Sequence, residues 1–180
     1  SVNMAIKGLV ANKTPGHIIT SAVEHSCVIA VCKQLESQGY TVSYLPTGSF
    51  GAVQPDAVKA AIRPDTQLIA LMAVNNETGV KTDVGAIAQI AQDRRIPFFV
   101  DAVSQLGKEG IRIVQGVSAM AFSGHKVHAL QGIGLLYLRS GTKLQPLIIG
   151  GEQEHGRRAG TENILGILSL SKALELLSTP

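Results

Sequence analysis

A chain of 180 residues that is 45% hydrophobic and 16% charged is about one domain long and can bury a sizeable core. A net charge of +3 with no long Lys/Arg run gives no nucleic-acid stripe, and no apolar run approaches the roughly 20 residues of a membrane span. Two cysteines, Cys27 and Cys32, argue against a disulfide framework and fit a reducing, cytoplasmic compartment.

In chain order, "VNMAIKGLV" reads as a helix, and "HIITSA" (17–22) as the first strand. A helix follows from Ser26 to Gln38, then a strand "TVSYL" (41–45) and a helix from Pro55 to Ile62. "LIALMAV" (68–74) is a strand, with a helix from Val84 to Arg94 behind it. Three more strands are "PFFVD" (97–101), "AMAFS" (119–123) and "GLLYLR" (134–139), and a helix from Glu162 to Leu177 closes the chain. Strand and helix alternate four times, which predicts a three-layer α/β fold, a mainly parallel sheet with helices on both faces. Near-continuous apolar strands such as "LIALMAV" suit burial on both sides. No repeat or linker interrupts the chain, so residues 1–180 read as a single domain. Because it opens and closes inside helical patterns, it is expected to be a piece of a longer polypeptide.

Ligands of such sheets bind outside the carboxyl ends of the strands. The residues just past each strand are therefore informative. "VEHS" supplies Glu24 and His25, "NNETG" supplies Asn75, Asn76 and Glu77, "PFFVD" ends on Asp101, and "SGHK" supplies Ser123, His125 and Lys126. A lysine is mostly protonated near neutral pH, with an ordinary pKa of ~10.4. Desolvated or set beside other cations it becomes a usable amine that can form a Schiff base. A Schiff-base lysine with an aspartate at the ring nitrogen is the arrangement that pyridoxal 5'-phosphate (PLP) requires. Ser123 and His125 flank the lysine closely enough to donate to a phosphate, His25 could lie on the ring, and Asn76 could bond the ring oxygen or the substrate.

At these residues the sequence resembles a known family. "ITSAVEHSCV", "NNETGV", "FVDAVSQLGK", "FSGHKVHALQGIG" and "GGEQEHGRRAGTEN" are similar, in order and spacing, to blocks of the fold-type-I PLP enzymes of aminotransferase class V, and most of all to the cysteine desulfurase (NifS-like) branch. The resemblance implies catalytic roles for Lys126, as the Schiff-base lysine, and for His25, stacked on the ring. It implies cofactor contacts from His25, Asn76, Asp101, Ser123, His125 and Lys126, and from Thr161 to the phosphate of a partner subunit in a homodimer. The family's ring-oxygen glutamine falls at Ser104 here, with Gln105 one residue later, so that contact lies between these two. Ala129 and Leu130 replace the usual Gly-Pro after the lysine turn, and His155 replaces an arginine. The family's phosphate loop should lie before "NMAIKG". Its catalytic cysteine, substrate-binding arginine and small domain should lie beyond "GTEN". Apolar surface that those parts cover is then expected to be exposed.

The implied reaction turns L-cysteine into L-alanine and passes persulfide sulfur to an acceptor protein for iron–sulfur or thiolation pathways. A selenocysteine lyase, another class-V lyase or aminotransferase, or a non-catalytic fragment are the alternatives, and the chain alone is expected to be inactive. Each site residue also has an ordinary reading. Asp101 or Thr161 could cap a helix, Asn76 could stabilise a turn, and His125 could be a core histidine. A metal site is not expected, because His25, Cys27 and Cys32 lack a second ligand pair. Both cysteines read as small buried hydrophobes of the helix after His25.

Overall fold

A computed structural model describes residues 1–11 and 14–177. Strands β1 (His17–Ser21), β2 (Thr41–Leu45), β3 (Thr66–Met72), β4 (Phe98–Asp101), β5 (Ala119–Ser123) and β6 (Gly134–Leu138) form one sheet in the order β2-β1-β3-β4-β5-β6. The first five pair in parallel, and β6 runs antiparallel to β5. The connection from β5 to β6 holds no helix beyond a 3-10 turn, Gly124–Val127. A parallel crossover needs a longer connection, usually a helix, so the chain reverses instead.

Helices α1 (Val2–Val10) and α2 (Ser26–Glu36) cover one face, and α3 (Pro55–Ala61) and α4 (Val84–Asp93) the other. The apolar positions dictate this. Val2, Ala5, Ile6, Leu9 and Val10 of α1 recur at one-face helical spacing and meet Leu68, Ala70 and Phe99. Ile69, Leu71, Phe98 and Val100, one residue out of phase on the same strands, meet Ile87, Ala88 and Ala91 of α4. Both faces of the central strands are therefore dry. His17 pins β1 to its neighbours, with Nδ1 2.8 Å from Thr66 Oγ1 and Nε2 2.8 Å from Ser43 Oγ. Pro55 starts α3 at a position where its missing N–H costs nothing. Asp83 caps α4 through Oδ1, which accepts from Ala86 N–H at 2.9 Å. Asp83→Ala is expected to lower stability by about 1 kcal/mol in a urea melt. An unchanged midpoint would show that water replaces the cap without loss.

The last helix, α5 (Ile164–Leu177), buries Leu170 and Ala173 against Val127 and Ala129. It leaves Ile164, Leu165 and Leu168 exposed, and Ile149 is 86% exposed in the preceding loop. Among the described residues no helix is long and apolar enough to cross a membrane.

Candidate functional site

The chain leaves β1 toward β2 on one side and returns to β3 on the other. Strand order therefore reverses between β1 and β3, which opens a crevice at their carboxyl ends. A cleft of about 370 Å³ lies there. His25, from the β1–α2 turn, and Asn76, after β3, line it together with Asp101 at the end of β4 and Ser123, His125 and Lys126 after β5. Ser104 also lines it, and Met72, Val74 and Val103 add apolar wall. A larger depression of about 750 Å³ sits at the opposite, amino-end edge of the sheet, around Arg95, Ile96, Gly116 and Arg139. No carboxylate or thiol lines it, and the Arg139 guanidinium is taken up by the Val114 and Val117 carbonyls at 2.8 and 2.6 Å. The smaller cleft holds the chemistry.

Lys126 is carried on the 3-10 turn. The turn is closed by Ala129 N–H on Gly124 O at 3.0 Å and anchored by Gly124 N–H on Ile133 O at 3.0 Å. A Cβ at Gly124 would stand 2.7 Å from Ile133 Cγ2 and 3.2 Å from Ala129 Cβ, so the close approach requires glycine. His128 ends the turn with φ +64°, a left-handed conformation unusual for a residue other than glycine. Val127 points into the α5 contact while Lys126 is exposed to the cleft. Among the described residues no carboxylate pairs with Lys126, whereas Lys81 is paired with Glu109 and Lys172 with Glu175.

Asp101 is 5% exposed, and its Oδ1 accepts from Val103 N–H at 3.0 Å. Burial pushes its carboxyl above the usual range, while the Val103 N–H and nearby His25 pull it back. Ser123 Oγ and His125 Nδ1 lie 2.8 Å apart on the lysine side. Ser1, Val2 and Asn3 also line the cleft.

His25 caps α2. Its Nδ1 accepts from Cys27 N–H at 3.2 Å, and Cys27 Sγ is 3.1 Å away. A ring whose Nδ1 accepts carries its neutral-form proton on Nε2. Cys32 is fully buried as expected, but Cys27 is half-buried in the cleft wall rather than in the core. Its place in the first turn of α2, two residues after the His25 cap, puts it there, and spacing alone does not reveal that.

The remaining residues separate cleanly. Asn76 lines the cleft and donates to Glu77 Oε1 at 2.7 Å. Asn75 is buried and structural, donating to Val23 O at 3.0 Å and accepting from the Glu77 and Thr78 amides at 2.9 Å each. Of the two ring-oxygen candidates, Ser104 faces the cleft, and Gln105 donates to Glu109 Oε1 at 3.0 Å. Thr161 is exposed in the loop before α5 and does not line the cleft. Among the described residues no cluster of histidine, cysteine and carboxylates could hold a metal.

The donor set fits PLP. It offers an amine free of carboxylates, a buried carboxylate, and a hydroxyl and imidazole pair, all around one cleft.

Comparison with known proteins agrees. The aminotransferase class-V family matches residues 1–179. A cysteine desulfurase of Nostoc sp. (strain PCC 7120) is 47% identical over 176 residues, which is 97% of this chain and 44% of that protein. Cysteine desulfurase IscS of Methanosarcina thermophila is 46% identical over 179 residues, 98% of this chain and 44% of that one. The solved structure of SspA in complex with cysteine superposes with a TM-score of 0.94 at 41% identity, covering 97% of this chain and 52% of the other. A NifS-like protein superposes with a TM-score of 0.93 at 35% identity, covering 98% and 50%. The chain thus spans about half the length of the relatives it matches.

Proposed function

This chain belongs to the aminotransferase class-V family, and from that premise we propose that the whole protein is a PLP-dependent cysteine desulfurase acting in a reducing compartment such as the cytoplasm. The observation that carries this reading is the cleft itself, where the Lys126 amine, the buried Asp101 carboxylate and the His25 ring converge from three strand ends. PLP would be held by Lys126 through its amine, by Asp101 at the ring nitrogen, by Ser123 and His125 at the phosphate and by Ser104 near the ring oxygen. When bound, it supplies an electron sink for the carbon that bears the substrate amino group.

The chain's own groups prepare the cleft for that chemistry. Asp101, dry on all sides but one N–H, holds a proton at the ring nitrogen more strongly than a solvated carboxylate would. His25 keeps Nδ1 on the helix cap, so Nε2 is the nitrogen that gives or takes a proton in the cleft. Met72, Val74 and Val103 exclude water from the wall opposite the polar groups.

The overall conversion takes L-cysteine and an enzyme thiol to L-alanine and an enzyme persulfide. The substrate C–S bond breaks, an S–S bond forms and the carbon gains hydrogen. The thiol lies outside these residues. Cys32 is buried with its thiol pushed up to about 12, and burial and Asp101 also raise Cys27. Neither is a thiolate near neutral pH. A homodimer fits the exposed apolar stretch of Ile149, Ile164, Leu165 and Leu168 on both sides of Thr161. The acceptor would be a second protein carrying a thiol, for iron–sulfur or thiolated products. The whole protein with PLP, L-cysteine and a reductant is expected to release alanine and sulfide in equal amounts. Transamination of a keto acid with no sulfide would overturn the assignment, and a strong preference for L-selenocysteine would move it to selenocysteine lyase.

A further inference from the structure

The turn that carries His25 rests on a buried acid. Residues 22–25 lead from β1 into α2. Ala22, Val23 and His25 are exposed, and Glu24 alone turns inward, at 7% exposed. Glu24 Oε1 accepts from Ser21 Oγ at 2.6 Å, and Ser21 Oγ accepts from Val23 N–H at 3.3 Å. From the β3 side, Asn75 Nδ2 holds Val23 O at 3.0 Å. The next side chain is the His25 cap on Cys27 N–H. Acid, turn and cap form one continuous run of contacts.

Glu24 Oε2 is buried and meets no hydrogen-bond partner among the described residues. An ionised carboxyl in that seat would keep a charge with one oxygen unpaired, which costs far more than an unpaired neutral group. The titratable groups that face it are Asp101 from β4 and the Cys32 thiol from α2, and neither brings a positive charge. His25, next along the turn, is exposed. The local geometry favours the neutral acid.

We propose that Glu24 is a positioning residue for His25: by accepting from Ser21 Oγ it fixes the β1–α2 turn so that the imidazole caps α2 and faces the cleft. This rests on the placement of His25 in the site proposed above. Burial, reinforced by Asp101 and eased by the Ser21 hydroxyl and the Met72 backbone, pushes the Glu24 carboxyl up to about 7.

The test is a nuclear Overhauser measurement on the full chain without cofactor or substrate, so its outcome is independent of the desulfurase assignment. The reporter is cross-relaxation between His25 Hε1 and the Cys27 β-protons, which sit together because Sγ is 3.1 Å from Nδ1. It is expected to keep its wild-type strength in Glu24→Gln, whose side-chain oxygen can still accept from Ser21 Oγ. Glu24→Ala, which keeps no partner for Ser21, should weaken it at every pH. Equal intensity in wild type and Glu24→Ala would overturn the proposal, and Ser21→Ala, which removes the donor to Glu24, gives the same comparison if the Glu24 variant does not fold. A purely structural role for Glu24 would change the melting point without changing this native-state contact.

Discussion

Borohydride reduction in the presence of PLP is expected to fix one cofactor per chain, on Lys126, and Lys126→Ala is expected to fix none. The reason is local. A lysine in a salt bridge gives up that contact before it can react, and Lys126 has no carboxylate partner among the described residues. Its backbone is held by the Gly124 carbonyl on one side and by the Val127 contact with Leu170 and Ala173 on the other. The amine therefore projects into the cleft from a fixed base and loses little entropy in reaching a ligand there. Peptide mass mapping after reduction reads the result directly. Equal labelling of wild type and Lys126→Ala would mean that PLP reacts with surface amines and that the cleft does not hold it. Labelling of Lys126 together with several other lysines would mean that the phosphate contacts proposed for Ser123 and His125 are too weak to select it.

The same residues show what could be read from sequence. The strands were legible because burial on two faces leaves runs such as "LIALMAV" without polar interruption, and each run ends where its helix or turn begins. The convergence of His25, Asn76, Asp101 and Lys126 was legible because a parallel sheet sends all its carboxyl ends to one edge. The reversal of strand order between β1 and β3, which decides where along that edge the cleft opens, was not legible. It is fixed by which neighbour β1 selects, and Ile18 and Ile19 pair as readily with one apolar strand as with another. Two side chains escaped for the same reason. Cys27 and Glu24 sit in a polar-looking turn, "VEHSC", and whether each faces water, cleft or core depends on how that turn folds over the end of β3. Ser104 and Gln105 could be separated only by rotation about the chain, which points Gln105 at Glu109.

Glu24 also gives the protein a pH-dependent stability, and the sign follows from its burial. The folded-state carboxyl is raised from 4.5 to about 7, while the unfolded chain keeps the ordinary value. Below pH 4.5 both states hold the proton and the group contributes no penalty. Between 4.5 and 7 the unfolded chain releases its proton and the folded chain does not, so stability falls as pH rises. Above 7 the folded state must ionise a buried carboxyl and the full penalty is present. A shift of this size corresponds to about 3 kcal/mol. Glu24→Gln keeps the shape and the Ser21 contact but cannot ionise. Urea stabilities of wild type and Glu24→Gln, measured from pH 4 to pH 8.5, should therefore differ by a constant at the acid end and diverge through the window. Above pH 8 the variant should have gained about 3 kcal/mol relative to its acid-end difference, a large share of the 5–15 kcal/mol typical of a domain. Taking the difference removes the titrations of groups that Glu24 does not face, such as His17, which is shifted in the folded state. Parallel curves across the window would show that the Glu24 carboxyl ionises as easily inside the protein as outside, which its seat beneath the turn, with one oxygen unpartnered, does not allow.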